Sequence, residues 1–322
     1  MALLDRLRAK ADAGEKTFTV EISPPANYKT MVKTDEMVRA LKDFDIAGIA
    51  VTNSTGGSFR MNPLAVVETI RAWRPETPIV IHLTARDEGS VRSVYSRADE
   101  MNRKAVSDVL VLRGDPTPQR SREVDAFKFS TVELVRLLRE YRDQQGYAID
   151  IFVAGHPEYP SHALSKHMLY QRRKIEAGAQ GIIANIVTDP TNYVRYVDAA
   201  LAHGIAVPIL PSVIPLTSVR RGLFLQTSLH IPVPRRIMER LTEAGSKEDA
   251  ARIGLEITIG IVEHLLREGA PGVNFNLIFP QDIASVADVL RAVRGHATIW
   301  EKYKIEDPEE IEYYNQLRGR LS

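Results

Sequence analysis

The feature that most constrains this chain is a rhythm of short, β-branched apolar runs separated by amphipathic stretches. The runs cover 18–22, 46–52, 79–83, 108–112, 149–153, 181–187, 207–210 and 273–278. Their brevity and their flanking Gly, Pro and Asp residues read as strands. They are almost continuously apolar rather than alternating, which points to a parallel sheet covered on its outer face. Helical periodicity is clearest at 34–41, 65–73, 132–142, 165–177, 193–203 and 256–268. Strand–helix alternation repeated about eight times predicts an α/β fold, a (β/α)8 TIM barrel. The rival, a doubly wound open sheet, usually shows Gly-x-Gly-x-x-Gly after its first strand. This chain has Ser23-Pro24-Pro25 there, which weighs against it.

A barrel takes roughly 250 residues, and the chain has 322. Residues 1–322 therefore read as one barrel domain, with its core at about 17–295, an N-terminal helix and a C-terminal extension over 296–322. Leu3, Leu4, Leu7 and Ala11 recur at helical spacing, and Gly14 offers a stop. The long stretch 211–272 holds two plausible helices, 218–229 and 234–244, then a polar break at 245–249. It reads as extra helix inserted before the last strand, not as a second domain. The tail carries Trp300, Tyr303, Tyr313 and Tyr314, and is expected to pack as a helix across the outside of the barrel.

Composition excludes several chemistries. With no cysteine there is no disulfide, zinc–thiolate site, iron–sulfur cluster or thiol nucleophile. Lys and Arg number 42 against 41 Asp and Glu, so no global charge favours nucleic acid. No run approaches the ~20 apolar residues of a membrane span, and the first residues lack a signal-peptide pattern. The expectation is a cytoplasmic protein with no membrane and no nucleic-acid partner. His156, Glu158, His162 and His167 match no standard ligand spacing, so no metal is expected.

In a barrel of this kind the chemistry sits at the C-terminal strand ends. There the chain places Glu21, Thr52, His82, Arg113-Gly114-Asp115, His156 and Glu158, Asn185 and Asp189, Ser212 and Asn276. Each has a plain alternative. A lone Glu can face solvent at the rim, a strand His can be a satisfied core residue, and Arg-Gly-Asp can be a βα turn with a capping Asp. Glu21 is the most informative, because it lies between Val20 and Ile22 and before two prolines. A desolvated carboxyl there has a raised pKa and suits a general acid. At 113–115, glycine lets a ligand ring approach the backbone.

Taken in order, Phe18-Thr-Val-Glu-Ile-Ser-Pro-Pro25, Val51-Thr52, His82-Leu-Thr84, Leu112-Arg-Gly-Asp115, Pro157-Glu158, Arg173-Lys174 with Ala177-Gly-Ala179, and Pro208-Ile-Leu-Pro211 with Ile214-Pro215 resemble the methylenetetrahydrofolate reductase family, over about 18–293. The resemblance implies a (β/α)8 barrel holding FAD. Hydride would pass from NAD(P)H to FAD and on to 5,10-methylenetetrahydrofolate, giving 5-methyltetrahydrofolate. It makes Glu21 the general acid that assists opening of the imidazolidine ring. Asp115 and Asn185 would meet the pterin together with Glu21. Thr52, His82, Arg113, Gly114, Asp115, His156 and Lys174 would hold FAD, with Lys174 supplying charge for the diphosphate. Bacterial relatives are often homo-oligomers, so a homo-oligomer is expected.

The departures cluster on the substrate and nicotinamide side. Aromatic bulk after the acid is replaced by Ile22-Ser23, Ala-Tyr-Pro-Glu by Gly155-His156-Pro157-Glu158, and a pterin-binding Gln by the shorter Asn185. A stacking aromatic aligns with Val219, and the last strand's His-Phe-Tyr-Thr-Leu-Asn becomes Asn274-Phe-Asn-Leu-Ile-Phe279. These changes leave room for three alternatives: a partner protein as electron donor, another reduced pterin as substrate, or a non-catalytic pterin- or flavin-binding subunit.

Overall fold

Each apolar run forms a strand in the computed structural model of the protein, which describes residues 1–54, 59–115, 127–278 and 282–294. The strands are β1 (Thr17–Ile22), β2 (Gly48–Val51), β3 (Ile79–Thr84), β4 (Asp108–Leu112), β5 (Asp150–Gly155), β6 (Gly181–Ile186), β7 (Ile209–Val213) and β8 (Gly272–Leu277). They pair in sequence order, all parallel, and β8 returns to pair with β1, so the barrel is closed. Closure leaves no unpaired edge. Along β1, Phe18, Val20 and Ile22 enter the large apolar layer between sheet and helices. Thr19 and Glu21 take the alternate, inward face.

The expected N-terminal helix is α1 (Leu3–Asp12). Its Leu3, Leu4 and Leu7 pack against the inward Ala50, Val80, Leu110, Phe152, Ile183 and Leu210, forming a second core separate from the outer one. Phe152 is accommodated because its register partner on the adjacent strand β6 is Gly181, where a Cβ would lie 2.4 Å from the phenyl ring. The Leu3 N–H donates to both carboxylate oxygens of the buried Asp108, at 3.0 and 3.1 Å. Helix α1 thus stops the N-terminal end of the barrel, and the polar strand ends open at the other.

The expected helices appear as α2 (Met31–Ala40), α3 (Val67–Trp73), α5 (Thr131–Gln145), α6 (Ser161–Ala177) and α7 (Pro190–Ala202). Between them the structure adds α4 (Val91–Arg103), which periodicity did not single out; only Val94, Ala98 and Met101 are buried in it. The stretch before β8 folds as α8 (Val219–Ser228), α9 (Arg235–Thr242) and α10 (Lys247–Arg267). The polar break is the start of α10, not a loop before it: Ser246 caps the helix, and Glu248 and Asp249 occupy its first turn, where carboxylates suit the helix dipole. A last helix, α11 (Asp282–Arg294), follows β8. The aromatic tail from 299 onward lies outside the described residues. No described helix is long and apolar enough to cross a membrane.

Candidate active site

The open end of the barrel holds a cavity of about 670 Å3, within the range of small-molecule sites. Its wall contains Glu21, Thr52, His82, Arg113, Gly114, Asp115, His156, Lys174 and Asn185. Parallel register brings them together, because every strand ends on the same side. A second lobe of about 490 Å3 shares Glu21, Thr52, Asp115, Asn185 and Asn276, and extends beneath Leu229, His230 and Ile231. Val219, the position aligned with the stacking aromatic, begins α8 and packs against the outer core; it is not among the lining residues of either lobe.

Glu21 is largely buried on β1, opposite Asn276 in the β1–β8 register. The Asn276 Nδ2 donates to its Oε1 at 2.6 Å, and the Asn274 Nδ2 to its Oε2 at 3.4 Å. Asn274 also donates to Ser212 Oγ at 3.1 Å and accepts from Thr19 Oγ1 at 2.8 Å. The His82 Nε2 lies 3.6 Å from Glu21 Oε2. Burial pushes the Glu21 carboxyl up to about 7, against the pull of the two amides. Burial also lowers His82 to about 3, so its ring is neutral. Below about 7 the titrating proton of this pair is therefore on the carboxyl and not on the imidazole.

The β5 side carries the opposite electrostatics. His156 Nδ1 and Asn185 Nδ2 each lie 2.9 Å from Glu158 Oε1. Burial alone would raise Glu158, but the neighbouring His156, its hydrogen bond and that of Asn185 outweigh it and hold the carboxyl below the usual range. The Asn185 Oδ1 accepts from the Ile186 N–H at 2.9 Å, so the short amide is drawn onto its own strand and onto Glu158. His167, weighed only as a metal ligand from sequence, stacks edge-on with His156 and Tyr159 and is lowered to about 3 by burial, then by His156 and Lys174. Lys174 is buried; its Nζ donates to Gln171 Oε1 at 2.9 Å and Ala154 O at 3.4 Å. It lies 5.1 Å from the Tyr170 ring centroid. Burial brings its ammonium down to about 8. Among the described residues it has no carboxylate partner.

The 113–115 turn is braced from the turn that follows β3. Buried Arg86 donates from Nη1 to the Asp115 carbonyl at 3.0 Å and from Nε to Asp87 Oδ1 at 2.9 Å. Gly114 has φ +83, and a Cβ there would meet Thr84 Cβ at 2.9 Å. The Arg113 guanidinium lies over Phe127, 4.7 Å from the ring centroid. Sequence reasoning missed Arg86 and the lining residues Tyr159 and Tyr170. The only available signal was that they follow the third and fifth strands. Asp189, grouped with the strand-end polar residues, is instead the N-cap of α7, accepting from the Thr191 N–H at 2.9 Å. Among the described residues no three His, Asp or Glu side chains converge to hold a metal ion.

Comparison with known proteins agrees with this geometry. A family model described as methylenetetrahydrofolate reductase matches residues 6–285. The 5,10-methylenetetrahydrofolate reductase of Pectobacterium carotovorum is 26% identical over 265 residues, spanning 81% of this chain and 85% of that protein. The enzyme of that name from Escherichia coli K12 is 24% identical over 267 residues, spanning 81% and 86%. The Zea mays protein methylenetetrahydrofolate reductase (NADH) 1 is 24% identical, and the match covers 84% of this chain but 47% of the maize protein. Among solved structures, an uncharacterized Clostridium thermocellum protein that binds two copies of 5-methyl-5,6,7,8-tetrahydrofolic acid superposes with a TM-score of 0.60. It is 16% identical, covering 88% of this chain and 98% of that one, and so supports the barrel fold alone.

Proposed function

The chain belongs to the methylenetetrahydrofolate reductase family, and on that premise we propose that it reduces 5,10-methylenetetrahydrofolate to 5-methyltetrahydrofolate, with FAD as cofactor and NAD(P)H as electron donor. In this reading residues 1–322 form one barrel domain. The observation that carries the chemistry is Glu21, a carboxyl at about 7 in the barrel mouth, beside a neutral His82. Such a group retains a proton near neutral pH and can give it up without a large penalty.

The residues present fit FAD. Lys174 is a buried cation whose hydrogen bonds go to two neutral oxygens, which suits an anionic diphosphate. Thr52, His82, Arg113, Gly114, Asp115 and His156 complete the wall on that side. When bound, FAD carries hydride from the reduced nicotinamide to the substrate. The second lobe, with Asp115, Asn185 and Leu229–Ile231 around it, is the side assigned to the pterin. There Glu21 protonates the departing ring nitrogen as the imidazolidine ring opens, and the substrate is left as the reactive iminium. Asp115 orients the pterin, and Asn185 retains one N–H for it.

The test is an absorbance spectrum of the purified protein, then anaerobic additions of NADH and NADPH. A flavin spectrum bleached by either nucleotide, with reoxidation by the methylene substrate, supports the reading. The Glu21→Gln variant should keep bleaching and lose folate reduction by about 100-fold or more. Wild-type folate reduction in that variant would refute the acid role. A second reading keeps the site but takes electrons from a partner protein. It is favoured by the second lobe, whose lining among the described residues includes His230 as its one ring, so that none of these residues offers nicotinamide an aromatic carbocycle to stack on. Flavin that nucleotides leave unbleached, but that a chemical reductant turns over with folate, would select it.

A further inference from the structure

The two oxygens of Glu21 are not equivalent. Oε1 takes a short bond from the Asn276 amide, 2.6 Å, and an amide Nδ2 can only donate. Oε2 takes a longer bond from Asn274, 3.4 Å, and faces the neutral His82 Nε2 at 3.6 Å. That ring nitrogen is buried with no hydrogen-bond partner. A neutral carboxyl has one carbonyl oxygen, which accepts well, and one hydroxyl, which must donate. We propose that Asn276 is a positioning residue that holds Oε1 as the carbonyl oxygen, so that the acid's proton is carried on Oε2, toward His82. The proposal deepens the reading of Glu21 as the acid and rests on it.

Its chemical consequence is directional. As the substrate ring opens, the Oε2–H bond breaks and an N–H bond forms on the departing nitrogen, which keeps the electron pair of the broken C–N bond. Glu21 becomes a carboxylate whose two oxygens already face N–H groups from β8. Asn276 thus favours the charged product of proton transfer as well as the orientation of the acid before it. The groups facing Glu21 are His82 from β3 and the two asparagines from β8. Arg113, Asp115, His156 and Lys174 share the cavity, and among the described residues no ion pair joins Arg113, His156 or Lys174 to Glu21.

The test is an infrared difference titration of the flavin-free protein, with Glu21→Gln used to assign the carboxyl band. Wild type should titrate near 7. Asn276→Leu, similar in size but without the donor, should move the midpoint up by about one pH unit or more and raise the carbonyl stretching frequency. Asn276→Gln, which keeps a donor, should restore part of both. Should the leucine variant fail to fold, Asn276→Ser, whose hydroxyl is too short to reach Oε1, carries the same expectation. An unchanged midpoint and frequency would overturn the proposal. The titration needs neither flavin nor folate. A shifted midpoint in a protein that cannot reduce the folate upholds the proton's placement and counts against the reductase reading instead.

Discussion

Glu21 links folding to pH in a way that one substitution isolates. Its carboxyl is raised from 4.5 to about 7 in the folded protein. The folded state therefore binds more protons than the unfolded state between these values, and stability falls as pH rises through that window. Below 4.5 the cost is absent, and above 7 it is complete. At about 1.4 kcal/mol per pH unit it reaches about 3 kcal/mol. Glutamine reproduces the protonated form: its Oε1 can accept from Asn276, and its amide N–H faces His82 Nε2. Glu21→Gln should therefore match wild type within about 1 kcal/mol near pH 5 and exceed it by about 3 kcal/mol near pH 8. Urea unfolding of both proteins across this range measures the difference. Asp108, also raised to about 7, is present in both proteins and cancels. A stability difference that is the same at both ends would mean that Glu21 ionises as freely in the folded protein as in the unfolded chain.

Other consequences are open to direct measurement. Lys174→Met removes the buried cation and should weaken FAD binding by about 10-fold or more, read from quenching of flavin fluorescence; unchanged affinity would remove Lys174 from the diphosphate site. Gly181→Ala places a methyl 2.4 Å from the Phe152 ring and should cost about 1–3 kcal/mol in chemical denaturation, with no loss refuting the packing of the inner core. Asp108→Asn removes a charge that burial disfavours, so its stability relative to wild type should rise with pH between 3.8 and about 7. A flat difference would mean that the carboxylate is not desolvated beneath α1.

Most of the barrel was legible because parallel strands covered on both faces leave a mark that needs no partner: runs such as Val109-Leu-Val-Leu112 are apolar throughout. Helix α4 carried the helical mark and was overlooked. Val94, Ala98 and Met101 recur at i, i+4 and i+7 on one buried face, but so few apolar residues among charged ones form a narrow stripe that is easily passed over. The start of α10 was hidden by its own cap. Ser246, Glu248 and Asp249 look like a loop when read as composition, and like an N-terminus only when read as Ser followed three residues later by a carboxylate.

The site divides along the same line between local and non-local information. That a carboxyl between Val20 and Ile22 is desolvated follows from its neighbours in the chain, and the direction of its shift was readable there. What restrains that shift is not local. Asn276 reaches Glu21 because β8 pairs with β1 in a register that sets the two residues opposite each other, across 255 positions of sequence. Glu158 makes the contrast. It too is largely buried, yet its carboxyl is held low, because His156 two residues before it and Asn185 on the next strand both direct hydrogen toward one oxygen. Glu21 therefore keeps its proton up to about 7, whereas Glu158, behind the His156 and Asn185 of the cavity wall, gives up its own well below that. The wall that holds the proton is the one that faces neutral partners, Asn274, Asn276 and His82. A change that put a cation there, such as Asn276→Lys, would pull Glu21 down toward Glu158 and abolish the difference on which an acid in this mouth depends.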